Sequence, residues 1–236
     1  MKRLLLSLFV AGLLGCGGSE AVAPKPLGFV LEDLHIASVA LEEKQAVLQS
    51  KQEWDVAQME RAKVEADYEE HQVRVEIARN QCEQAVLAEK SAQAEKRAAD
   101  RSGNLTRVNS AERGLRAAEL GRRTADAKLG FLQTKGNWLV KQIRYHQFNA
   151  LAREAKHQLE KARLAQSKNI RPAGFAFANF ESQYRERSET AQRIKMESER
   201  EKQLTKAKRQ DWNRAEREYL ATKGAKDAPE SESETF

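Results

Sequence analysis

The chain is poor in the residues that build thick cores and in those that interrupt helices. Of its 236 residues 6% are aromatic, four are proline and two are cysteine. Runs of alternating β-branched residues, the usual mark of strands, are nearly absent. The chain has 32% charged and 40% hydrophobic residues. This balance does not suit a compact sphere with a thick apolar core. The composition argues against a sheet-based enzyme.

Between about residues 30 and 223 the chain is dominated by Ala, Glu, Lys, Arg and Leu. This is the composition of long helices and coiled coils. Basic and acidic residues are interspersed, and the formal net charge is only +6. We therefore predict an all-α fold whose outer helix faces are solvated.

The N-terminus has the order of a secretory signal. Lys2 and Arg3 precede an apolar run over residues 4–14. That run is too short for a permanent membrane span, which needs roughly 20 apolar residues. Residues 13–16, Leu-Leu-Gly-Cys, resemble the lipobox of bacterial lipoproteins. An ordinary signal peptide that contains a cysteine near its end is the alternative.

The lipoprotein resemblance implies cleavage after a signal peptide of residues 1–15 and diacylglyceryl attachment to Cys16. Residues 16–28, rich in Gly, Ser and Pro, would then form a flexible tether. Gly17 rather than Asp follows the cysteine. In enteric bacteria this implies sorting to the outer membrane, facing the periplasm, with the inner membrane as the alternative. Cys82 is left as a seam residue or as one half of an intermolecular disulfide.

A seven-residue register predicts one helix from about residue 36 to 101. Its two seam rows are Ala40, Val47, Trp54, Arg61, Tyr68, Val75, Cys82, Glu89 and Lys96, and Glu43, Ser50, Ala57, Val64, His71, Ala78, Ala85, Ala92 and Ala99. A second register predicts a helix from about 108 to 168. Its rows are Ala111, Ala118, Ala125, Leu132 and Leu139, and Leu115, Arg122, Leu129, Gly136, Ile143 and Ala150.

Two nearly equal helices joined by a short turn predict a long antiparallel coiled-coil hairpin. We place the turn within residues 102–110, with an N-cap at Asn109 or Ser110, and expect a bend at Gly136. A third helix, from Phe177 or Asn179 to about Thr222, should pack on the proximal half of the hairpin. Residues 81–130 lack aromatics and should project as two helices alone. The helical body spans 29–223, and an acidic tail over 224–236 has a disordered composition.

The sequence offers no pattern for catalysis or for a cofactor. The four histidines form no metal-binding pair, although His71 and His146 both lie on seam rows. Gly-rich phosphate loops and nucleophile elbows are missing. We expect no catalytic residues, no metal, no cofactor and no nucleic-acid partner, and we do not expect an enzyme.

The pattern favours a lipid-anchored scaffold that presents its hairpin tip to an envelope protein. The predicted partner-binding residues are Arg101, Gly103, Asn104, Leu105, Thr106 and Val108. Arg101 and Leu105 resemble the hairpin tips of periplasmic adaptor proteins, but Glu112 stands where those carry a serine. A periplasmic holdase chaperone, or an accessory adaptor of an envelope transport complex, is the alternative, and self-association stays open.

The lipobox resemblance generates a direct prediction. Replacing Cys16 by Ser should abolish membrane anchoring, because the thiol that would carry the diacylglyceryl group is gone. Detergent-phase partitioning, together with mass spectrometry of the mature N-terminus, measures the effect. An unmodified Cys16 in the wild-type protein would contradict the prediction.

Overall fold

The structure, a computed structural model, describes residues 24–223 and confirms the all-α fold. Three long helices occupy this range: α1 over Gln45–Arg101, α2 over Leu105–Ser167 and α3 over Phe177–Thr222. Two short 3₁₀ turns, Asp33–Ile36 and Leu41–Lys44, precede α1. No strand occurs within residues 24–223. The predicted signal peptide, Cys16 and the acidic tail lie outside the described residues.

The turn between α1 and α2 is shorter than the sequence predicted. Only residues 102–104 separate the helices, and α2 begins at Leu105 rather than near residue 108. The N-cap is Asn104, whose side-chain oxygen accepts a hydrogen bond from the Arg107 N–H at 3.1 Å. The prediction of Asn109 or Ser110 as the cap was wrong, because an equally good cap residue stands five positions earlier.

The predicted α1 seam is the face that packs against α2. Its buried members are Val47, Ser50, Ala57, His71, Val75, Ala78, Cys82 and Ala99. Two charged members of the predicted rows lie opposite each other, since Arg122 pairs with Glu89 at 2.6 Å. Lys96 likewise reaches Glu112 of α2 at 3.2 Å. Three of the charged interruptions of the heptad pattern, Glu89, Lys96 and Arg122, therefore form ion pairs that join the two helices.

The third helix lies along α2, antiparallel to it. Thr124 Oγ1 donates to the Ala215 carbonyl at 3.0 Å, and Gln142 Nε2 donates to Ser198 Oγ at 2.9 Å. Phe131 is only 1% exposed and stacks on Trp212 with ring centroids 5.5 Å apart. Both α1 and α3 thus pack on the central helix α2.

The third helix extends further toward the tip than the sequence predicted. A Cβ atom built on Gly121 would lie 3.2 Å from the Tyr219 ring, so α3 reaches this glycine. The aromatic-free segment is therefore not wholly a two-helix projection. The helix α3 ends at Thr222, three residues after Tyr219, so only the end of the hairpin nearest the turn stands without it. Residues 90–120 are called the distal hairpin below.

At Gly136, where we expect a bend, α2 is not interrupted. Gly136 instead faces the His71 ring, whose Cδ2 atom would lie 3.6 Å from an added Cβ. Nε2 of His71 donates a hydrogen bond to the Leu132 carbonyl at 2.8 Å. The glycine marks a close approach of a buried histidine to α2.

The base of the hairpin, at its end away from the turn, is closed by the segment that leads into α1. Leu31 and Ile36 are buried there against a cluster that includes Leu159 and Phe180. Gln183 accepts from the Gly28 N–H at 2.8 Å. The carbonyl of Pro26 accepts from Arg187 at 3.1 Å. The last residues of the predicted tether therefore contact the helical body.

The buried rings generate a stability prediction. Phe131→Ala should lower the free energy of unfolding by about 3 to 5 kcal/mol, because a ring between all three helices is lost. Trp138 and Trp212 are only half-buried. Replacing either one by Ala should therefore lower the free energy of unfolding by less than Phe131→Ala does.

Urea unfolding followed by circular dichroism measures this effect. Leu87→Ala is the matched control, because Leu87 is 64% exposed and its loss should change the free energy by less than about 0.5 kcal/mol. Equal losses from the two variants would contradict the assignment of the core.

Candidate functional site

The predicted tip residues lie together at the end of the hairpin opposite the base. Arg101 is the last residue of α1 and Leu105 the first of α2. Gly103 has a φ of +65°, a left-handed conformation that costs other residues about 1 to 2 kcal/mol. Ser102 Oγ donates to the Ala99 carbonyl at 2.7 Å. The glycine and the side-chain hydrogen bonds therefore fix the turn.

Most of the predicted tip side chains are accessible. Leu105 is 77% exposed, and Arg101, Asn104 and Thr106 are exposed as well. Val108 differs, because it is half-buried next to the seam. The surface available to a partner is accordingly the turn and the first residues of α2, with Val108 partly structural.

A lysine fastens the two helices just below the turn. Lys96 binds both Asp100 of its own helix and Glu112 of α2. The hydrogen bond to Asp100, followed by that to Glu112, raises the pKa of Lys96. The two carboxylates therefore favour the charged form of the ammonium group, and Lys96 links α1 to α2 just below the turn.

The second cysteine is a seam residue. Cys82 is 8% exposed, and burial, followed by the charge of Asp126, raises the pKa of its thiol. A protonated, buried thiol is a poor nucleophile. The geometry therefore favours the packing role of Cys82 over an intermolecular disulfide. Cys16, the predicted lipidation site, lies outside the described residues.

The two seam histidines, His71 and His146, do not meet across the hairpin. His71 contacts Leu132, whereas His146 Nδ1 lies 3.6 Å from Glu60, further toward the base. His157 stacks on Trp54 with ring centroids 5.9 Å apart. Among residues 24–223 no three His, Cys, Asp or Glu side chains are grouped to hold a metal ion.

The distal hairpin carries an arginine cluster that the sequence analysis did not identify. Residues 96–123 contain eight basic and three acidic residues, a net charge of +5. Five arginines there are exposed and form no ion pair with any residue in 24–223: Arg97, Arg101, Arg107, Arg113 and Arg116. A running count of charge along the chain would have revealed them, because the net charge of all 236 residues together is only +6.

The arginines of the two helices point in opposite directions. At 100° per residue, Arg97 and Arg101 each lie about 160° from Ala99, which is fully buried against α2. Arg113 likewise lies about 160° from each of the seam residues Ala111 and Leu115 by the same geometry. Positive charge therefore covers both outer faces of the distal hairpin rather than a single patch.

Comparison with protein-family models, with curated proteins and with solved structures finds no match for this chain. A separate observation concerns membranes: none of the helices in residues 24–223 has an apolar stretch long enough to span a bilayer.

The structure of the tip predicts that substitutions of the exposed Leu105 and of the turn residue Gly103 change the free energy of unfolding by different amounts. Leu105→Ser should change the free energy of unfolding by less than about 0.5 kcal/mol, because this side chain is exposed. Gly103→Ala should lower it by about 1 to 2 kcal/mol, because alanine is strained at positive φ.

Thermal and urea unfolding of both variants measure these effects. A large loss from Leu105→Ser would show that the leucine is packed structure. In that case the binding surface would have to be sought elsewhere on the molecule.

Proposed function

We propose that this protein is a lipid-anchored coiled-coil scaffold of the bacterial envelope that presents its hairpin tip to a protein partner. The lipid anchor is Cys16, attached to the outer membrane and facing the periplasm. The role is structural and not enzymatic. The accessible tip surface comprises Arg101, Gly103, Asn104, Leu105 and Thr106, with Val108 supporting it from the seam.

The observation that carries this proposal is an exposed apex on a rigidly closed turn. Leu105 is 77% exposed, although the cap at Asn104 and the Lys96 links hold the backbone around it. A large apolar side chain at such a position adds little to folding. In the proposed function this side chain contacts the partner.

The distance between anchor and tip also supports a bridging role. Pro24, the first described residue, lines one pocket with Trp54 of α1. From Trp54 to Arg101 the helix rises by about 70 Å. A lipid attached eight residues before Pro24 would therefore leave the tip far from the anchoring membrane.

An in vivo photocrosslinking experiment tests this function. A photoreactive amino acid at Thr106 should capture one defined envelope protein. The same group at Met59, which is 64% exposed on α1, is the matched control and should capture none.

The other outcomes separate the alternatives. Capture of many unfolded outer-membrane proteins at both positions would indicate the holdase function instead. Capture of a transport-complex subunit at Thr106 would identify the accessory-adaptor form of the scaffold. Absence of any adduct at Thr106 would contradict a partner-binding tip.

A further inference from the structure

The helix α3 packs along α2 but ends before the tip of the hairpin. The exposed surface of α2 beyond the end of α3 is basic. Glu218, near the end of α3, pairs with Arg123 at 3.2 Å, and Tyr219 meets Gly121. From Gly121 the helix α2 continues for about 24 Å to Leu105. The helix α3 ends at Thr222, three residues after Tyr219, so it passes Gly121 by only about 5 Å toward the tip.

The uncovered part of α2 carries arginines on the same face as Arg123, the arginine that pairs with Glu218 of α3. Arg116 lies one heptad before Arg123, so both point to the same face of α2. Arg113, one turn closer to the tip, lines an open depression together with Thr106, Asn109, Glu112 and Arg116. The face of α2 just beyond α3 is therefore a surface that fits an acidic polypeptide.

The chain itself has an acidic polypeptide attached at this point. Residues 224–236 contain one basic and four acidic residues, the latter being Asp227, Glu230, Glu232 and Glu234. They follow directly on Lys223, which lies just after the end of α3. Charge and point of attachment both match the arginine face.

The length of this tail is sufficient. An extended chain spans about 3.3 Å per residue, so Asp227 can reach about 13 Å from Lys223. Arg113 lies about 12 Å along α2 from Gly121. The thirteen residues of the tail can span about 43 Å when fully extended, which exceeds the distance to the apex.

We propose that the acidic tail, residues 224–236, docks on the arginine face of α2 formed by Arg113 and Arg116 in the same molecule. Covalent attachment supplies an effective concentration of about a millimolar, so weak surface ion pairs suffice to populate the docked state. Arg97 and Arg101 on the opposite face stay free. This docking does not depend on the proposed function.

Zero-length carbodiimide crosslinking of the full chain tests the docking. Arg113→Lys keeps the positive charge and supplies an amine that can couple to a tail carboxylate. Arg101→Lys is the matched control, because it lies at the same end of the hairpin but on the opposite face. Coupling of Lys96 to Glu112, whose groups lie 3.2 Å apart, serves in every sample as the internal check of folding and reaction.

Peptide mass spectrometry of the monomer should find position 113 joined to Glu230, Glu232 or Glu234. The yield should be several times that at position 101, and it should fall sharply in 1 M salt, where the Debye length is about 3 Å. Equal yields at the two positions, or no product at position 113 while Lys96 couples normally, would overturn the proposal. Products found only in a crosslinked dimer would assign the face to a second copy and overturn it as well.

The same measurements separate this inference from the proposed function. A crosslink at position 113 in a protein whose Thr106 captures no partner would leave tail docking standing and contradict the scaffold function. Capture of a partner at Thr106, with no crosslink between position 113 and the tail, would support the scaffold function and overturn tail docking.

Discussion

Packing on α2 is the contact on which the rest of the described structure depends. Its seam faces α1 through Leu132 and Leu139, while Phe131 and Thr124 face α3. In residues 24–223, α1 and α3 make few close approaches to each other. Any loss of order in α2 would therefore separate both other helices, and neither could rebuild a core with the one that remains.

Charge supports the same arrangement. The α2 segment has thirteen basic and five acidic residues, whereas α1 has nine basic and twelve acidic ones. Arg153 and Lys156 of α2 both bind Glu53 of α1, at 2.9 and 2.7 Å, and Lys156 in particular lowers the pKa of this carboxyl. Individual surface pairs contribute little. Their opposite net charges nevertheless favour pairing of α2 with α1 over pairing of two like-charged copies.

The fold could be predicted from the sequence to the extent that burial follows a fixed period. The α1 rows identified Val75, Ala78 and Cys82 as seam residues because a heptad repeat places them on one stripe whatever their partner is. The exact turn was less accessible, since Asn104 and Asn109 are both good caps and only tertiary packing selects one. The reach of α3 was missed because Gly121 carries no side chain that signals a neighbour, although its absence is what admits Tyr219.

The tip was located from its Gly-Asn pair, since few other sequences end a long helix so clearly. The arginine cluster near the tip was not predicted. Arg107, Arg113 and Arg116 belong to no motif, and in the sequence they look like an ordinary solvated helix face. They become a feature only when the structure shows that α3 ends at Thr222, shortly after the Tyr219–Gly121 contact, and that these arginines have no ion-pair partner among residues 24–223.

The antiparallel hairpin has a mechanical consequence. If tension were applied between the tip and the segment that enters near Trp54, the load would run along α1 and would act on its seam with α2 in shear. In shear many contacts must break together, whereas pulling the two helices apart from their base would break them one at a time. Resistance to such a load depends on the height of the unfolding barrier rather than on equilibrium stability. The long, regular seam therefore suits a protein that carries force along its axis.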